Sequence, residues 1–157
     1  MNLILQSLLG AAGSAGFALL FNIRRSRLVW IGAGGALSWM LYCMLVPLCS
    51  IFAAMFIATG TVALLSELLA RRLKTPVILL LVPMLIPLIP GRDLYAMMSA
   101  LIQDQRALLA SQIRLLALQA GAIASGILCL STAINSMQGL RCGTARNGKK
   151  DARPWKN

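Results

Sequence analysis

Glu67 is the one acid set inside an apolar stretch of this chain, and Arg71 follows it four residues later. An ionisable group within a membrane segment is a candidate proton carrier. A Glu-to-Arg pair at this spacing is equally an ordinary salt bridge at a helix end. Both readings stand at this level. The second group of interest closes the run from Thr75 to Gly91, in which Pro83, Pro87 and Pro90 interrupt a series of Val, Ile, Leu and Met. An interior proline removes a backbone hydrogen bond and clashes with the preceding turn. In lipid, the freed carbonyls must find partners in the protein or in a water-filled cavity. Broken helices of this kind build binding sites at membrane depth; a kinked, purely structural helix is the plainer reading.

Pro90-Gly91-Arg92-Asp93-Leu94-Tyr95 follows directly. Gly91 suits an N-cap. A helix starting there presents free N–H groups and a positive dipole end, a seat for a carboxylate. Arg92 can add a bidentate contact. Alternatively, Arg92 and Tyr95 anchor the chain at an interface and Asp93 simply favours the first helical turn. Pro83, Pro87, Pro90, Gly91, Arg92 and Tyr95 are therefore the substrate or translocation candidates, with Glu67 the candidate for proton coupling.

Much other chemistry is excluded. The chain has no histidine and only four acids, Glu67, Asp93, Asp104 and Asp151. That rules out a Ser-His-Asp triad, histidine metal sites and a multi-carboxylate centre. No enzyme activity, metal or cofactor is expected. Cys43, Cys49, Cys129 and Cys142 form no C-x-x-C pair and read as single thiols, with a Cys43–Cys49 disulfide left open. Gly32-Ala33-Gly34-Gly35 lies in a membrane segment, so a nucleotide loop is discarded.

The elements that must position these residues are apolar helices. Of the 157 residues, 59% are hydrophobic and 12% charged, against roughly 25% charged in a soluble domain. The pattern gives an all-α membrane bundle of about five transmembrane segments, four long and one short and broken. They cover about residues 3–23, 28–46, 50–70, 76–89 and 115–137. The first lacks the basic n-region of a signal peptide. Residues 92–112 carry Leu94, Met97, Met98, Leu101, Ile102, Leu108 and Leu109 at three- and four-residue spacing and read as an amphipathic helix. Residues 1–138 form the membrane domain, and 139–157 a basic cytoplasmic tail expected to be disordered.

The net charge of +11 sits between apolar segments, which marks topology rather than nucleic-acid binding. With the N-terminus outside and five crossings, twelve of the fifteen basic residues fall on the cytoplasmic side and only Arg92, Arg106 and Arg114 outside. The positive-inside rule favours that arrangement. Glycine and small residues (Gly10, Gly13, Gly16; Gly32 with Ala36; Gly121 with Ser125) suit close helix approach and suggest packing against more helices than the chain owns.

Several of these residues carry a resemblance. Phe21-Asn22-Ile23 before a basic loop, Trp30 with Gly32–Leu37, and Glu67-Leu68-Leu69-Ala70-Arg71-Arg72 resemble the threonine/serine exporter family. Most specific is Pro83-x-x-Ile86-Pro87-Leu88-Ile89-Pro90-Gly91 with Tyr95. The likeness spans about Leu5 to Ala133 and is to the small, C-terminal-half component of a split, two-subunit exporter. It implies a larger membrane partner subunit, and export of threonine and serine or of a dicarboxylate such as succinate, driven by the proton motive force. It also implies a multi-pass place in the bacterial inner membrane. Pro83, Pro87, Pro90, Gly91 and Tyr95 match the family string and Glu67 an acidic position, whereas Arg92-Asp93 is less typical. A homo-oligomer is left open. The alternatives are a non-transporting assembly or scaffold protein, and a self-sufficient small channel.

Overall fold

The computed structural model describes residues 3–147. Its helices are α1 (Leu3–Leu20), α2 (Arg25–Leu45), α3 (Ile51–Leu73), α4 (Ile78–Leu85), α5 (Gly91–Ile102) and α6 (Arg106–Asn147), with a 3-10 turn at Ile86–Leu88 and no strand among the described residues. The all-α membrane bundle expected from composition is what forms. By length and composition, α1, α2, α3 and residues 106–134 of α6 can each cross a membrane. The pair formed by Ile78–Leu88 and Gly91–Ile102, bent by 56°, supplies a fifth if counted as one broken span. The short proline segment is thus continued by the helix read as amphipathic.

Three helices end alike. Asn22, Lys74 and Asp104 all take left-handed backbone angles, with φ of 53°, 49° and 51°. The next N–H then folds back onto a buried alanine carbonyl: Ile23 to Ala18 at 3.0 Å, Thr75 to Ala70 at 3.1 Å and Gln105 to Ala100 at 3.0 Å. This six-to-one bond is the Schellman closure, which satisfies carbonyls a helix end leaves free. The closure at Asp104 corrects the expectation of one amphipathic helix over 92–112: the chain turns at 103–105, and α5 and α6 pack as an antiparallel hairpin. At the start of α3 the Ser50 hydroxyl accepts from the Ala53 N–H at 3.3 Å, a standard N-cap.

The helix ends carrying Arg24–Arg27 and Arg71–Lys74 lie together, and the Arg27 guanidinium donates to the Leu73 carbonyl at 3.5 Å. α1 packs on α2, and α3 on α6. α3 and α6 run in the same direction: an added Cβ at Gly126 would meet the Thr59 side chain and the Phe56 carbonyl, and one at Gly60 would meet Leu130. α4 lies among α1, α2 and α3, and Leu80, Pro83 and Met84 are fully buried there. The tightest α1–α2 approach is at Gly35, where a Cβ would stand 2.6 Å from Ser14 Cβ and 3.2 Å from the Gly10 carbonyl. By contrast Gly13, Gly16 and Gly121 have nothing within 4 Å, so those small-residue positions do not mediate contacts within this chain.

α6 is helical through Asn147, into the stretch read as tail; the expectation for 148–157 lies outside the described residues. The described cysteines, Cys43, Cys49 and Cys129, are free thiols.

Candidate functional site at the break between α4 and α5

α4 tolerates Pro83 without breaking, since the helix runs from Ile78 to Leu85 around it. The break comes at the next proline. Pro87 sits within the 3-10 turn, Ile89 is extended (φ −67°, ψ 124°), and Pro90 (φ −76°, ψ 62°) leads into α5. Proline cannot donate the N–H that would carry the helix on. The carbonyls at the end of α4 are served from elsewhere: Ile86 N–H donates to Pro83, and the buried Ser38 hydroxyl of α2 reaches the Met84 carbonyl at 3.3 Å while donating to Gly35 at 2.7 Å. This is the internal satisfaction that an apolar environment demands.

The bend leaves a cavity of about 420 Å³ lined by residues 87–93, by Trp39 and Tyr42 of α2, Met55 of α3 and Gln119 of α6. That volume suits a small metabolite. The Trp39 and Tyr42 rings lie 5.6 Å apart at 45°. The Trp39 indole N–H is held by Gln6 Oε1 at 3.4 Å. Gln119 Nε2, also on the lining, donates to Asp93 Oδ2 at 2.8 Å. Gln119 is only 4% exposed, and its Oε1 has no hydrogen-bond partner among the described residues. α5 starts at this cavity with no side chain capping it; the Gly91 N–H donates to the Ile89 carbonyl at 2.7 Å, which leaves the N–H groups of Arg92 and Asp93 as the available first-turn donors.

Of the sequence candidates, Pro87, Pro90, Gly91 and Arg92 line this cavity. Pro83 is fully buried one turn earlier in α4. Tyr95 is 76% exposed and does not line it. Gly91 is the first helical residue and Pro90 holds the N-cap position, because the Leu94 N–H already bonds back to the Pro90 carbonyl at 3.0 Å. Glu67 stands apart, at the other end of α4, in a smaller cavity of about 160 Å³ with Ser66, Ser131, Val77 and Leu81. Arg71 donates to its Oε1 from both Nε and Nη2 at 3.1 Å. Leu80, Pro83 and Met84, the fully buried residues of α4, lie along the chain between the two cavities.

Sequence reasoning missed Trp39, Tyr42, Met55 and Gln119 as site residues. Trp39 and Tyr42 gave no signal of their own, because aromatics near the ends of apolar segments suit interfacial anchoring. Gln119 had a usable signal: it is an amide inside Leu115-Leu116-Ala117-Leu118-Gln119-Ala120-Gly121, where an uncompensated polar group is expensive.

The fold and cavity define a multi-pass membrane protein organised around a broken helix. The family described as Threonine/Serine exporter, ThrE matches residues 6–133, well over half of the chain. The chain belongs to the threonine/serine exporter family, and it is a membrane exporter. No curated protein and no solved structure gives a significant match.

Proposed function

We propose that this chain is one membrane half of a secondary-active exporter of small carboxylate-bearing metabolites, threonine and serine foremost. A dicarboxylate such as succinate is the competing cargo. The observation that carries the reading is the cavity at the α4–α5 break, where an uncapped helix start and Arg92 meet aromatic and amide walls. The helix start and Arg92 bind the substrate carboxylate. Pro87 and Pro90 hold the break open, while Pro83 and Tyr95 act beyond the cavity, in the seat of α4 and at the interface. A larger membrane subunit of the same family completes the path. The exposed apolar length of α1, with Leu5, Leu8 and Leu9, offers a surface for such a neighbour.

In this reading the protein lies in the bacterial inner membrane with the N-terminus outside. The basic end is cytoplasmic, in keeping with the clustering of Arg24–Arg27 and Arg71–Lys74 and the positive-inside rule. The Glu67 cavity then faces the cytoplasm and the α4–α5 cavity faces outward, with the buried layer of α4 as the barrier between them. Glu67 couples transport to protons by exchanging its Arg71 pair for a proton.

The test is release of labelled threonine and serine from loaded cells that lack their own exporters and express this chain with its partner half. Faster release than in cells without them is the expected result. Glu67→Gln is expected to keep the protein folded, because a partly exposed ion pair is worth about 0–1 kcal/mol, and to flatten the dependence of release on external pH. Unchanged release with unchanged pH dependence would remove Glu67 from coupling.

A further inference from the structure

We infer that Asp93 and Gln119 form an ammonium subsite in the α4–α5 cavity, so that the cavity selects α-amino acids over dicarboxylates. The inference rests on the exporter reading above and deepens it. Two observations carry it. The first is a carboxylate, Asp93, placed in the first turn of α5 beside Arg92 at the cavity wall. The second is the buried Gln119, whose amide N–H is spent on Asp93 while its Oε1 lacks any partner among the described residues.

A buried acceptor without a donor is unfavourable. The Asp93 carboxylate at the cavity wall, with the enclosed and unpartnered Gln119 Oε1 on the side chain bonded to it, calls for a ligand with several N–H donors and a positive charge. An ammonium group provides three donors and no acceptor. It can give one hydrogen bond to Asp93 and, once the Gln119 amide turns its enclosed oxygen toward the cavity, one to Gln119 Oε1, while the Trp39 and Tyr42 rings supply faces that attract a cation. In an α-amino acid the carboxylate is bonded to the carbon that bears the ammonium. Both ends therefore fall within one helical turn, the carboxylate at the start of α5 and the ammonium at Asp93 and Gln119. A dicarboxylate would instead set its second negative charge against Asp93, which is repulsive.

The experiment uses inverted membrane vesicles carrying both halves and follows uptake of labelled serine. Two competitors are added separately: serine methyl ester, which keeps the ammonium and lacks the carboxylate, and glycerate, which keeps the carboxylate and has a hydroxyl for the ammonium. Asp93→Asn is expected to raise the half-saturating serine concentration about tenfold or more, as loss of a charge-assisted hydrogen bond implies. It should weaken competition by the ester similarly and leave competition by glycerate unchanged or stronger. Asp93→Glu is expected to recover part of the serine affinity. Gln119→Leu should show the same pattern more weakly, and carries the test if Asp93→Asn fails to accumulate. Unchanged serine affinity, or equal weakening of ester and glycerate, would overturn the inference. Wild-type vesicles that take up no serine, despite insertion of both halves, would overturn the exporter reading and this inference with it.

Discussion

Replacing Pro87 and Pro90 together by alanine is expected to abolish export while leaving the chain in the membrane. The break between α4 and α5 exists because two residues cannot donate the hydrogen bonds that would continue the helix. Proline is about 3 kcal/mol less favourable than alanine in a helix interior, so two replacements shift the balance toward one continuous helix by about 6 kcal/mol. Straightening the 56° bend would carry the 87–93 wall away from Trp39, Tyr42 and Gln119 and erase the cavity. Transport should fall by at least about tenfold, a loss of only about 1.4 kcal/mol in barrier terms. Pro83→Ala is the internal control, because α4 is already helical around Pro83; it should retain most activity. Efflux from loaded cells at matched protein levels gives the measurement. Full transport by the double variant would show that the break is not required.

Gly35→Ala is expected to have the largest effect on stability. An added Cβ would sit 2.6 Å from Ser14 Cβ and 3.2 Å from the Gly10 carbonyl. Neither neighbour is the movable end of a long side chain: one is bound to the backbone and the other is backbone. Ser14 is fully buried, so α1 and α2 must separate. Overpacking of this kind costs about 1–3 kcal/mol, and at about 2–4 °C per kcal/mol for a chain of this size the melting temperature in detergent should drop by several degrees. Ser14→Gly in the same chain removes the obstructing side chain and should restore part of the loss. No change in melting temperature would contradict the packing described. The same site bears on function, since Gly10 and Trp39 flank Pro87; splaying α1 from α2 loosens the wall shared with the substrate cavity.

Much of this architecture is legible in the sequence because apolar length and proline placement act locally. The four long segments, the short broken one and the basic loops all follow from hydropathy and charge. Pro87, Pro90, Gly91 and Arg92 were visible as a site because a proline-glycine break inside an apolar run has few cheap explanations. Other features depend on partners distant in sequence. The turn at Asp104 was hidden because aspartate, not glycine, takes the left-handed position, and the apolar spacing of 92–112 continues across it. Of the small residues singled out by spacing, Gly10 and Gly32 do meet the neighbouring helix while Gly13, Gly16 and Gly121 meet nothing, and the tightest approaches fall at Gly34, Gly35 and Gly126; which face of a helix meets a neighbour is fixed by packing, not by spacing. Gln119 became a site residue only once the α5–α6 hairpin brought it to Asp93, 26 positions away.

The most direct test is transport by purified chains in lipid vesicles holding labelled threonine, serine or succinate, with and without an imposed proton gradient. Vesicles would contain this chain alone, its larger partner alone, or both. Gradient-dependent release of threonine and serine only when both are present, with succinate retained, is the predicted result. No release from any of the three preparations, with both chains inserted and folded, would contradict the exporter account and leave this chain a non-transporting assembly protein; release from this chain alone would contradict the two-part design and make it a self-sufficient channel or carrier.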